Sequence, residues 1–461
     1  MRSIRGRSLG AVLALVLLVG GSVLARPATA APADGPQLLG RQQVSTRLQA
    51  LRFRDPSVGE ANVQILLPDG YDRSGRTRYP VLYLLHGAAS TSDSWLSAGD
   101  AERITKGYPL IVVIPDGGYF GFYADWWGYG IPGAPQWETW HLDRMIPWID
   151  AHYPTIATRD GRAIAGDSMG GLGTMHYAAK RPDLFTAAFS FSGAIDTSND
   201  IAPPIVEALT ALDGDHLPGG AFGLHATDEV RWRGHNPVDL AENLRGVMVT
   251  LDTGDGQPDA PMLPGLGGGG DPVEMAMYQM GAAMHERLVD VGIPHTWDSY
   301  GPGCHCWLYW QRDLRQALPR MMDRFAHPVP PPPAVTYRSI DPTWSVWGWQ
   351  VAIDRPAIEF SQLSEAGPRG FSLTGSGAAL VTTAPVPARA GRRVPVTIRD
   401  ATGTHRRTLT ADASGRLVVP VSLGPANPVQ QYSPAGMLWA LVHDGRPGTW
   451  PAVTAHVTVS R

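Results

Sequence analysis

The 461-residue sequence predicts an α/β chain built on a doubly wound, mainly parallel sheet and followed by a C-terminal all-β, sandwich-like domain. Three observations predict it. Six short apolar runs, at residues 63–67, 80–85, 110–114, 162–165, 187–191 and 247–251, are mostly unalternating and so suit strands buried on both faces. Residues 138–151, 171–180, 274–291 and 307–325 carry helical patterns, and strands that alternate with helices form parallel sheets whose sites gather at the strands' carboxyl ends. Beyond a proline run, the pattern changes to short alternating segments, 394–398, 417–421 and 453–459, separated by Gly, Asp, Asn and Ser.

In chain order, Arg2, Arg5 and Arg7 precede an apolar run at 9–25 and the small residues Ala28-Thr29-Ala30. This is the layout of a secretory signal peptide, residues 1–30, cut after Ala30. The competing reading is an uncleaved anchor, but the run is short, Gly20-Gly21 interrupts it, and no Cys lies near the cut to accept a lipid. Export implies a secreted, extracellular or cell-envelope protein that does not span the membrane after processing. Cleavage removes four Arg and leaves 34 basic against 42 acidic residues, a net charge of −8. Such a balance gives no electrostatic reason to bind nucleic acid.

Residues 31–326 form the expected α/β domain. The run His327-Pro328-Val329-Pro330-Pro331-Pro332-Pro333 is a stiff spacer, so residues 327–334 read as a linker and 335–461 as the second domain. Trp344, Trp347 and Trp349 at its start are either core or a contact surface. The only cysteines, Cys304 and Cys306, flank His305. Two-residue spacing in an extended chain holds Cα atoms near the upper limit of about 7 Å for bridging, so a disulfide there needs a local kink. Free thiols are the alternative, and a metal site lacks further ligands at a recognisable spacing.

The stretch Arg162-Ala163-Ile164-Ala165-Gly166-Asp167-Ser168-Met169-Gly170-Gly171 reads as a buried strand, a tight Gly-x-Ser-x-Gly turn and a helix start. In that setting Ser168 is a nucleophile candidate: the turn holds the serine strained, and side chains at the flanking positions would collide. The pattern also occurs at Gly6-Arg7-Ser8-Leu9-Gly10, so the flanking strand and helix carry the argument. A serine nucleophile needs a base, an acid to orient the base, and donors for the oxyanion, with chain order Ser, acid, His in this architecture. His305 lies in a Gly/Pro loop just before the last helix and is the base candidate, whereas His285 falls mid-helix and His295 opens a strand. For the acid, Asp255, Asp259 and Glu274 all follow the 247–251 strand, and the residues alone leave the choice open. The oxyanion donors are the backbone N–H groups of Met169 and of Ala88, in the loop after the 80–85 strand.

Two weaker patterns carry less. Gly265-Leu266-Gly267-Gly268-Gly269-Gly270 follows a loop rather than a strand, against a dinucleotide site. Asp252, Asp255 and Asp259 do not have calcium-loop spacing. No metal or cofactor is expected.

With these residues in hand, residues 45–326 resemble the esterase branch of the α/β hydrolases, and within it the antigen 85 mycolyltransferases. The resemblance lies in Phe122-Tyr123-Ala124-Asp125-Trp126, Trp137-Glu138-Thr139, the Ser168 turn, Asp271-Pro272-Val273-Glu274 and Gly303-Cys304-His305-Cys306-Trp307. It implies an α/β-hydrolase fold, a Ser168, Glu274 and His305 triad that selects Glu274 as the acid, and an oxyanion hole at Ala88 and Met169. It also implies substrate contacts at Asp125, Trp126 and His86. Transferases of this group often have Asp-Gly where this chain has His86-Gly87, which leaves trehalose unsupported as acceptor. The aromatics Phe120, Phe122, Tyr123, Trp126, Trp127 and Tyr129 either line an acyl or sugar site or pack internally.

The expected function is a secreted serine esterase or acyltransferase, mycolyltransferase-like, acting on a small-molecule or glycolipid ester. Cell-envelope polysaccharide or lipid is a further expected partner. The alternative is an envelope-binding protein on an inactive hydrolase scaffold.

Overall fold

The six apolar runs become strands of one nine-stranded sheet in the computed structural model, which describes residues 35–213, 217–258, 270–385, 390–444 and 450–460. The expected signal peptide, Asp259 and the glycine run up to Gly269 lie outside the described residues. The strands are β1 (Gln37–Gln43), β2 (Leu48–Asp55), β3 (Gly59–Leu66), β4 (Val81–Leu85), β5 (Ile111–Pro115), β6 (Arg162–Asp167), β7 (Ala187–Phe191), β8 (Met248–Thr253) and β9 (His295–Ser299). Their order is β1-β2-β3-β5-β4-β6-β7-β8-β9. From β5 to β9 all neighbours are parallel, while β1, β2 and β3 add an antiparallel edge.

Every residue of β4, β5, β6 and β7 is buried, because apolar layers cover both faces. Tyr83 and Ile164 face one layer, with Trp140, Met175 and Trp232, whereas Leu82 and Leu84 face the other, with Trp95, Leu314 and Leu318. This is why these runs do not alternate. The chain leaves β4 for β5 on one side and returns to place β6 on the other, so the carboxyl ends of β4 and β6 flank a crevice, with Leu85 paired to Gly166.

Three helices position the site: α1 (Met169–Lys180), α2 (Pro272–Asp290) and α3 (Trp307–Ala326). The helix expected at 138–151 is instead a π-helical segment, Thr139–Met145, leading into an α-helical one, Ile146–His152. Pro147 has no N–H to offer a continuous α-helical ladder there. Helices Ala202–Leu212 and His225–His235 were not legible as periodic runs. Among the described residues, no helix is long and apolar enough to cross a membrane.

Beyond residue 334 the chain forms two antiparallel sheets. The first orders β10 (Val335–Ser339), β13 (Ser361–Gly367), β14 (Gly370–Gly375), β19 (Val453–Val459), β16 (Arg393–Asp400) and β17 (Gly403–Thr410). The second orders β11 (Thr343–Val346), β12 (Trp349–Asp354), β15 (Ala378–Thr382) and β18 (Val418–Ser422). Val351, Leu363, Leu373, Val381, Val396 and Val457 share one core, so alternation along the strands marks the inward faces of a sandwich. Trp344 and Trp349 are part of that core, and the Arg159 guanidinium sits over the Trp347 ring at 5.1 Å. The three tryptophans therefore do not form an outward contact surface.

The sandwich is tied to α1. Tyr337 donates its hydroxyl proton to the Lys180 carbonyl at 2.9 Å, and the Lys180 ammonium bridges Glu138 at 2.7 Å and Asp341 at 3.1 Å.

Candidate active site

Strand β6 delivers Ser168 into a backbone conformation of φ 54°, ψ −117°, which a residue with a Cβ rarely adopts. The turn is held by the Ser168 N–H to Phe191 O and the Ala194 N–H to Ser168 O. Its glycines are required by close approach: a Cβ on Gly166 would lie 2.5 Å from Gly170 O, and one on Gly170 would lie 2.4 Å from Leu85 O. Ser168 directly precedes α1, whose N-terminal amides favour negative charge.

The Ser168 hydroxyl lies 2.9 Å from His305 Nε2, and His305 Nδ1 lies 2.9 Å from Glu274 Oε2. These partners assign the tautomer: Nδ1–H donates to the carboxylate, leaving Nε2 to accept the serine proton. Glu274 is wholly buried, and its Oε1 accepts from the Gly254 N–H at 2.7 Å, Ser192 Oγ at 2.7 Å and Thr253 Oγ1 at 3.0 Å. Of the open acid candidates, Glu274 is thus the carboxylate at His305. Asp255 instead caps its own turn by accepting from the Gln257 N–H. His285 and His295 bond each other at 2.7 Å.

The loop carrying His305 is fixed by an aspartate that the sequence left without a role, by the expected disulfide and by a tryptophan. Asp271 caps α2 through Oδ1, accepting from the Val273 and Glu274 N–H groups, while its Oδ2 accepts from the His305 N–H at 2.8 Å. The only hint was Asp before Pro at a helix start. Cys304 and Cys306 form a disulfide with Cα atoms 5.3 Å apart, and the Cys306 N–H donates to Cys304 O. That bond closes the kink the spacing demanded. Trp310 packs edge-on against the His305 ring, 5.0 Å between centroids.

The loop after β4 lies against the nucleophile, since a Cβ on Gly87 would fall 2.6 Å from Asp167 Oδ2 and 3.2 Å from Ser168 Cβ. Ala88 follows at once, while Met169 is the first residue of α1, so both expected oxyanion donors flank Ser168. The loop is pinned at three points: Trp95 Nε1–H to Leu85 O, the Tyr123 hydroxyl to His86 O, and the Ala89 N–H to Tyr119 O.

The expected substrate contacts are turned to other tasks. His86 is buried, its Nε2 accepting from the Gly117 N–H while Nδ1–H donates to Gly87 O. Burial lowers its pKa and keeps it neutral. Trp126 is 3% exposed and donates to Gly121 O. Asp125 accepts both the N–H and the hydroxyl of Thr139, and burial, then neighbouring Glu138, push its pKa up to about 6. These three residues brace the segment behind the oxyanion loop, and Phe122 and Tyr123 are likewise core. Phe120, Trp127 and Tyr129 remain half-buried.

Among the described residues one group, Glu138, His176 and His235, has the spacing to hold a metal ion. Both Glu138 oxygens are engaged, by His176 and by the Lys180 ammonium, whose charge opposes a bound cation.

The family described as "Putative esterase" matches residues 58–321. The chain belongs to this esterase family. Esterase Rv1288 of Mycobacterium tuberculosis is 35% identical over 267 residues, which cover 57% of this chain and 56% of that relative. The match thus spans little more than half of that relative's length. Diacylglycerol acyltransferase/mycolyltransferase Ag85B of Mycolicibacterium smegmatis is 27% identical over 333 residues, covering 68% of this chain and 94% of the relative. The crystal structure of Mycobacterium tuberculosis MPT51 superposes with a TM-score of 0.50 at 24% identity, covering 61% of this chain and 99% of MPT51, a likeness of fold. The family match thus covers β3 to β9, α1, α2 and most of α3.

Proposed function

We propose that this member of the esterase family is an exported serine esterase or acyltransferase that passes an acyl group from an ester, through acyl-Ser168, to water or to a sugar or lipid hydroxyl. The observation that carries the reading is the continuous hydrogen-bond series from Ser168 Oγ through His305 to Glu274, both links 2.9 Å. In the proposed reaction Ser168 Oγ attacks the ester carbonyl as His305 Nε2 takes its proton. Glu274 stabilises the resulting imidazolium, and the Met169 and Ala88 N–H groups hold the oxyanion, each such donor contributing about 3 kcal/mol. His305 then returns the proton to the departing alkoxide. Water or an acceptor hydroxyl attacks the acyl-enzyme by the same base catalysis, and transfer prevails where the site excludes water and orients the acceptor.

Kinship with an acyltransferase/mycolyltransferase supports a glycolipid acyl donor, and the layout of residues 1–30 supports an extracellular or envelope location. Residues 31–326 would carry the chemistry, 327–334 link, and 335–461 brace α1. An inactive binding scaffold is disfavoured, because such scaffolds usually lose a triad member.

Single-turnover acylation of residues 31–461 with a short activated ester, followed by mass spectrometry, tests this. An adduct on Ser168 that a sugar acceptor discharges faster than water does marks a transferase; loss at one rate marks an esterase. Absence of any adduct, or ester turnover that survives Ser168→Ala, would overturn the reading.

A further inference from the structure

At the opposite end of the sheet from Ser168, the amino-terminal ends of β8 and β9 open onto a cavity of about 440 Å³. Its wall is apolar at Val247, Val249 and Ile293 and basic at Arg245, Arg320 and Arg324, and among the described residues no carboxylate lines it. Each of these guanidinium groups is positioned by a neutral oxygen. Arg245 donates to Val291 O, Arg320 to Thr296 Oγ1, and Arg324 to Thr186 Oγ1 and Gly246 O. Among the described residues none of the three has a carboxylate within ion-pair distance.

A fourth guanidinium, Arg159, converges with Arg324 on the same Gly246 carbonyl. Arg159 has a counter-ion in Asp160 at 3.3 Å, but burial and the neighbouring Arg324 still lower its pKa, and burial lowers that of Arg324. Guanidinium groups held in place by neutral acceptors have N–H groups left over, and an anion both balances their charge and accepts hydrogen bonds from them. An apolar wall beside them adds affinity for an alkyl chain.

We propose that this cavity binds an amphiphilic anion, its carboxylate or phosphate-monoester head against Arg245 and Arg320 and its alkyl tail against Val247, Val249 and Ile293. The site is separate from Ser168 and does not depend on the serine-esterase reading. A free fatty acid and an alkyl phosphate share the required chemistry.

Isothermal titration calorimetry at low salt, with octanoate, octyl phosphate, inorganic phosphate and octanol as probes, tests it. Octanoate or octyl phosphate should bind at least about tenfold more tightly than inorganic phosphate or octanol, and Arg320→Gln should weaken that binding by about tenfold or more. Arg245→Gln, at an exposed position, should act in the same direction and guards against misfolding of the first variant. Binding of octanoate and not octyl phosphate, or the reverse, identifies the head that the cavity takes. Equal affinity of inorganic phosphate and octyl phosphate, unchanged affinity in both variants, or no binding by any probe would each overturn the proposal.

Discussion

Asp271 holds His305 by its backbone: the carboxylate that caps α2 with one oxygen accepts the His305 N–H with the other at 2.8 Å. The same residue therefore sets both the helix that presents Glu274 and the loop that presents His305. Asp271→Ala should remove a cap contributing about 1 kcal/mol and let the His305 loop shift. The expected result is a fall in kcat of about tenfold or more with KM nearly unchanged, since a misplaced base costs the reaction and not ground-state binding. Asp271→Asn, which keeps an acceptor, should recover part of the loss. Steady-state kinetics on a short ester, paired with urea melts, reads both effects.

Glu274 meets four hydrogen-bonding groups, three at Oε1 and His305 at Oε2. Glu274→Gln has nearly the same shape but brings an N–H₂ group that must face one of those groups. A fall in kcat of about 10³ or more is expected, with the protein folded. Activity within tenfold of the parent would remove Glu274 from the proposed triad.

Gly87 is forced by proximity and not by its own dihedral angles, because a Cβ there would meet Asp167 Oδ2 at 2.6 Å. Gly87→Ala should push the oxyanion loop away from Ser168 and lower acylation and deacylation alike, by about 100-fold. Stopped-flow measurement of both steps distinguishes this from a defect in one. A variant that slowed deacylation alone would place the disturbance elsewhere.

Burial raises the Asp167 pKa to about 8, above its unfolded value near 4. Between those values the folded state keeps a proton that the unfolded chain has lost. The contribution of this group to stability is therefore full below about pH 4, falls as pH rises, and is gone above about pH 8. Asp167→Asn cannot titrate, so its stability should fall less steeply than the parent's across that window, by roughly 3 to 4 kcal/mol between pH 5 and 8. Urea melts at several pH values give the slope directly, and parallel slopes would show that Asp167 is ionised when folded.

How far the sequence reaches depends on how local each determinant is. The Ser168 turn is legible because its glycines, strand and helix are contiguous, and β4 to β8 are legible because burial on both faces leaves unbroken apolar runs. The acid is not, since Asp255 and Glu274 both follow β8 and only the packing of α2 against the His305 loop decides which reaches Nδ1; kinship supplied what the residues withheld. His86, Asp125 and Trp126 sit in the right segment, yet they face inward because the loops around the crevice need their own hydrogen bonds. Strands β1 and β2, rich in Arg and Gln at one sheet edge, carry no apolar run to find. The contact between the sandwich and α1 has no sequence signal, as it pairs residues such as Lys180 and Asp341 that are far apart in the chain.

That contact rests on Lys180, one of two lysines in the sequence. Burial disfavours its charge, but Asp341 and Glu138 outweigh this and hold its pKa well above the usual value. In return, against the same burial, Lys180 and then His176 hold Glu138 well below the ordinary carboxylate range. Lys180→Met would leave the buried Glu138 carboxylate without its cation, a loss of about 3 kcal/mol in stability. Glu138→Gln in the same chain removes the stranded charge, so the double variant should be more stable than Lys180→Met alone. Strict additivity of the two single losses, measured by denaturant melts, would show that Lys180 and Glu138 are not coupled.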